Sequence, residues 1–121
     1  MPPRINLDGT MIYKFKSKAT GDLIMLEPNG RRVLQIIGKD LSSASANKGI
    51  VLPEQMAAAV AALQAAVAKE EAEREAAMAQ ALAEGREAPK FEALGLRQRA
   101  LPFIDMLRRC EQAGEPITWG V

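Results

Sequence analysis

Three features of the sequence predict an α+β domain in which a small antiparallel sheet packs on three helices, one of them long. From Pro53 to Gly85 the chain consists almost wholly of Ala, Glu, Gln, Lys, Arg, Met, Leu and Val. Most of these lose little side-chain freedom in a helix. Around Tyr13 and Phe15, apolar and basic residues alternate with the period of a half-buried strand. Between Leu96 and Ala113 a second apolar stripe recurs at helical spacing. The order strand, strand, helix, long helix, helix, strand places the helices on one face of a sheet built from the N-terminal hairpin and a C-terminal strand.

Residues 1–10 (MPPRINLDGT) hold two prolines, a glycine and no periodicity. They read as a flexible leader before a single domain over 11–121, with Met11 a candidate start. Ile12 to Ser17 forms the first strand, and Lys18 to Asp22 a turn with Gly21 available for positive φ. Leu23 to Leu26 is the returning strand. Glu27-Pro28-Asn29-Gly30 opens either a second turn or a short helix. The spacing of Val33, Leu34, Ile36 and Ile37 favours a helix ended by Gly38, with a third strand as the alternative. Lys39 to Gly49, rich in Ser, Ala and Asn, is a loop. Ile50 to Leu52 leads into the long helix.

That helix, 53–85, starts with Pro53, whose missing N–H would be unpaired at the first position anyway. Glu54 follows in the first turn, where negative charge suits the dipole. Met56, Val60, Leu63 and Val67 make one apolar stripe, so the first half docks on a core. The second half reads as solvated, with Lys69–Glu73 and Glu70–Arg74 spaced as ion pairs and Met78 and Leu82 returning only weakly to the stripe. A helix this long spans roughly 50 Å at 1.5 Å per residue. A chain of this size has a radius of gyration of only about 13 Å, so the helix breaks, projects, or packs on another chain.

Residues 86–95 form a polar connector containing Pro89. Leu96 to Ala113 is the last helix, with Pro102 predicting a kink or a start near Ala100. Gly114 ends it, and Ile117 to Trp119 forms the strand that joins the hairpin.

Composition narrows the chemistry. The 121 residues are 48% hydrophobic but only 4% aromatic, and the net charge is +1. Residues 1–49 carry eight Lys/Arg against four Asp/Glu, and residues 50–95 carry four against eight. This asymmetry is ordinary for a solvated surface, and partner recognition is the other reading. Histidine is absent, which removes the commonest general base and metal ligand. The single cysteine, Cys110, permits no internal disulfide and suits a reducing cytosol. It falls near a helix C-terminus, where nothing activates a thiol, and reads as a structural core residue. No cofactor is implied, and no apolar run approaches the ~20 residues of a membrane span.

Two groups of residues are candidate contacts. Lys14, Lys16 and Lys18, with Arg31 and Arg32 nearby in sequence, suit phosphate or nucleic acid. Lysines on an edge strand also discourage edge pairing, and the aromatics Tyr13 and Phe15 face away from them. Glu70, Arg74, Met78 and Leu82 form a candidate partner surface on the long helix, for another protein or a second copy. Arg97 and Arg108 share a face of the last helix beside Leu101, as an anion clamp or as ordinary flanking of an apolar stripe. The glutamates at 70, 71, 73 and 75 read as surface charge.

The segments 11–19 (MIYKFKSKA), 21–26 (GDLIML), 96–100 (LRQRA) and 117–121 (ITWGV) resemble those of a family of short bacterial proteins, domain of unknown function 1840. The resemblance runs from Met11 to the end, while Lys69 to Pro89 looks longer than the family pattern. It implies a bacterial cytosolic protein with a compact domain, and it carries no assigned activity. The residues favour a non-enzymatic cytosolic interaction module using the long helix. The alternative is a nucleic-acid-associated protein using the basic hairpin.

Overall fold

The computed structural model describes residues 4–5, 11–39, 48–91 and 95–120. Most of the leader, the centre of the 39–49 loop and the last part of the connector lie outside these residues. The elements in chain order are β1 (Arg4–Ile5), β2 (Met11–Phe15), β3 (Leu23–Leu26), α1 (Glu27–Ile36), β4 (Gly49–Val51), α2 (Pro53–Ala83), α3 (Leu96–Ala113) and β5 (Ile117–Trp119). Arg4 and Ile5 of the expected leader pair with Ile12 and Met11 as a strand.

The hairpin forms as its alternation requires. β2 pairs antiparallel with β3, setting Tyr13 against Met25 and Phe15 against Leu23. Tyr13, Phe15 and Met25 are buried on the inner face, while Ile24 and Leu26 point outward. The C-terminal strand forms where expected and meets the hairpin, but most of its pairing is elsewhere. β5 pairs over its length with β4. It reaches the hairpin only at Lys16, which exchanges two backbone hydrogen bonds with Thr118 at 2.8 and 2.9 Å. Two antiparallel ribbons are thus joined at one bridge. Gly49 lies opposite Trp119, and a Cβ built there would fall 2.4 Å from the indole Cζ2. Only a residue without a side chain lets the indole cross β4.

Residues 27–36 are helical and not a strand, which places Val33 and Leu34 in the core. Gly30 faces Tyr13, where a Cβ would meet the ring at 2.6 Å. α2 starts at Pro53 as predicted and ends at Ala83, two residues short of the predicted limit. Gly85, at φ 68°, reverses the chain there. The Arg86 and Gly85 amides cap the Ala81 and Leu82 carbonyls, a left-handed cap that favours glycine. α3 begins at Leu96 and runs through Pro102. Pro102 is exposed, so the carbonyl that its missing N–H leaves unpaired can be hydrated.

The core lies between the inner sheet face and the three helices. Phe15 is at its centre, edge-on to Phe103 at 4.7 Å and to Trp119 at 5.9 Å. Met56, Val60, Leu63 and Val67 of the predicted stripe are all buried, as are Phe103, Leu107 and Cys110 of α3. The Trp119 Nε1 is buried with no hydrogen-bond partner among the described residues.

α3 returns along α2 from Glu70 towards its start, as the grouping of Val67 with Arg97 and of Gln64 with Leu101 and Ile104 shows. The remaining stretch of α2, 71–83, extends past the beginning of α3 by about 20 Å at 1.5 Å per residue. The connector doubles back along this overhang, bringing Phe91 beside Arg74 and Gly95 beside Glu70. Within the chain the over-long helix does not break: it runs unbroken from Pro53 to Ala83 and projects past α3.

Candidate interaction surfaces and a charged junction

Glu70 sits where α1, α2, the connector and the start of α3 meet. Its Oε1 accepts from the Leu96 amide at 3.2 Å and is 2.8 Å from Arg74 Nη2, while Oε2 accepts from Arg32 Nη2 at 3.0 Å. The carboxylate therefore caps α3, where the dipole favours negative charge. Gln98 completes that start by accepting from the Gly95 amide at 3.1 Å. Burial pushes the Glu70 carboxyl up, but the Leu96 amide, the Arg74 charge and the Arg32 contact outweigh it and hold it below its ordinary value of 4.5. One residue on, Glu71 is gripped by Arg97 through two bonds of 2.7 and 2.9 Å, and its carboxyl is lowered by that contact.

This junction changes the reading of the long helix. Glu70 and Arg74 were expected on an open partner surface with Met78 and Leu82. Instead the Glu70 side chain is only 15% exposed, and Arg74 is bound to Glu70 and lies over the Phe91 ring, 4.8 Å from its centroid. Both belong to the internal packing of the chain. Met78, 49% exposed, and Leu82, 83% exposed, lie farther out on the overhang. The i,i+4 spacing made the Glu70–Arg74 pair legible. Arg32 and Leu96, the other partners of Glu70, are 38 and 26 residues away, and no local pattern marks them.

The five basic candidates do not form one patch. Lys14 lies on the outer face of β2, 3.4 Å from Asp22, while Lys16 falls one residue past β2 and is bridged through its backbone to Thr118 of β5. Lys18 is exposed in the turn. Arg31 pairs with Glu27 within α1 at 3.4 Å, and Arg32 belongs to the Glu70 junction. Arg97 and Arg108 do line one cleft of about 270 Å³ with Leu101, although Arg97 is held by Glu71. The outer sheet face also exposes Ile24, Leu26 and Ile50.

Among the described residues, no three His, Cys, Asp or Glu side chains converge as metal ligands. No described helix is long and apolar enough to cross a membrane.

These observations define the class: an α+β domain of two linked ribbons under three helices, with an overhanging helix tied down at its middle by a carboxylate shared between elements. Residues 11–119 match the family described as Domain of unknown function (DUF1840), and the chain belongs to it. No curated protein and no solved structure matches the chain.

Proposed function

We propose that this is a non-enzymatic, cytoplasmic bacterial interaction module that pairs with a second copy of itself through the overhang of α2. The observation that carries this reading is the exposure of Leu82, 83%, one turn from half-exposed Met78. Burying a leucine of this kind is worth roughly 1.5–3 kcal/mol. The overhang is self-complementary. Two copies packed antiparallel about the midpoint between Met78 and Leu82 set Met78 of each against Leu82 of the other. The absence of histidine and the lone buried cysteine are consistent with a binding role in a reducing compartment.

Sedimentation equilibrium tests this directly. Wild-type protein is expected to dimerise with concentration, and the Met78→Glu, Leu82→Glu double variant to stay monomeric with unchanged helix content. A wild-type chain that remains monomeric at every concentration overturns the reading. The basic residues of and beside the hairpin, Lys14, Lys16 and Lys18, support a second reading, nucleic-acid association together with Arg31 and Arg32. Binding that falls steeply with salt and disappears on Lys14→Glu, Lys16→Glu replacement would put that reading first.

A further inference from the structure

A second cleft, of about 650 Å³, opens on the opposite side of the Glu70 junction from Arg97, and it shares only Arg32 with the surfaces proposed above. Arg32 and Ile36 of α1 form one wall, and Lys90 and Phe91 of the connector form the other. Ala66, Lys69, Glu70, Glu73 and Arg74 of α2 make the floor. These elements are far apart in sequence and are fastened around the cleft by the Arg32–Glu70–Arg74 contacts and the Arg74–Phe91 stack.

The charges do not balance. Among the described residues, four cations, Arg32, Lys69, Arg74 and Lys90, face two carboxylates, Glu70 and Glu73. A single Glu70 carboxylate serves both arginines, and Lys69 and Lys90 have no ion pair among the described residues. Arg32 spends only Nη2 on Glu70 and is 53% exposed, so its guanidinium has further N–H groups to offer. The apolar part of the lining is Ile36, Ala66 and Phe91, whose ring carries the Arg74 guanidinium over one face and which is 41% exposed.

We infer that this trough binds a small phosphomonoester carried on a planar ring. A phosphomonoester brings close to two negative charges at neutral pH, which matches the surplus of two cations. Arginine and lysine offer the N–H donors such a group takes. The ring rests on Phe91 and the aliphatic floor, an offset-stacked arrangement aromatic pairs favour. The cleft volume falls in the range of small-molecule sites. Neither Met78 nor Leu82 lines it, so this inference stands apart from self-association.

Phenyl phosphate is the minimal probe, with inorganic phosphate and phenol as its two halves. Amide chemical shifts of the full chain are followed during titration. Phenyl phosphate is expected to give saturable shifts centred on Arg32, Lys69, Lys90 and Phe91, and to bind more tightly than either half. Lys69→Gln with Lys90→Gln should weaken it by roughly tenfold, as expected for the loss of charge-assisted contacts. Lys18→Gln, a remote exposed lysine, should leave binding unchanged. Phe91→Leu should bring phenyl phosphate down to the level of inorganic phosphate without changing binding of the latter. Shifts that never saturate, that survive the double replacement, or that respond equally to Lys18→Gln overturn the inference. Inorganic phosphate binding as well as phenyl phosphate overturns its ring component.

Discussion

Protonating Glu70 removes the acceptor that the Leu96 amide, Arg32 and Arg74 share. Its carboxyl titrates below 4.5 in the folded chain, so the folded state binds fewer protons than the unfolded state just below that value. The stabilisation is therefore complete above about 4.5 and is lost as pH falls through the lowered folded value. Glu70→Gln is expected to cost about 1 kcal/mol near neutrality, the upper end for partly exposed ion pairs. It should also flatten the loss of stability in acid. Urea midpoints near neutral pH and below about pH 4 test both effects; an acid loss as steep in the variant as in wild type would assign it to other carboxylates, Glu71 among them.

At the scale of elements, the joint between the two ribbons depends on Gly49. A methyl group there meets the indole of Trp119, which is packed against Phe15 and has no room to retreat. Gly49→Ala is expected to destabilise the fold by roughly 1–3 kcal/mol, the usual cost of overpacking, measured as a lowered urea midpoint with unchanged slope. Much at this scale was legible in the sequence. Alternation set which face of β2 is buried, Pro53 and Gly85 framed the long helix, and Gly38 and Gly114 marked the other helix ends. β4 was not legible because three residues, GIV, are too few for a period to show. Missing it left β5 with the hairpin alone, which it meets at Lys16, and without its longer pairing to β4. The start of α3 at Leu96 was legible from its apolar stripe, and the later start near Ala100 that Pro102 offered is not taken; what stayed hidden was Glu70 reaching from another helix to accept from the Leu96 amide.

For the whole molecule, the length of α2 decided more than any motif. The mismatch between helix and globule announced that the helix breaks, projects or packs on another chain, and the apolar stripe ending at Val67 showed roughly where it leaves the core. What the sequence could not show was the connector doubling back along the overhang and the convergence of α1 on Glu70. Those contacts join residues 26 and 38 apart, and they turned two of the four expected surface residues into internal ties. The surplus of cations around Phe91 was hidden for the same reason, being spread over three elements.

The burial of Trp119 gives the chain an optical reporter. It is the sole tryptophan, 2% exposed, and its indole N–H meets no acceptor among the described residues. Its emission should be that of an indole in a dry setting and move to longer wavelength when the core opens. Far-ultraviolet circular dichroism instead weighs every helical residue, and 71–83 of α2 contribute to it without touching that core. A lone copy is therefore expected to lose ellipticity before its fluorescence shifts on heating, as the overhang frays ahead of global unfolding. Coincident transitions would mean that the overhang and the core melt as one unit.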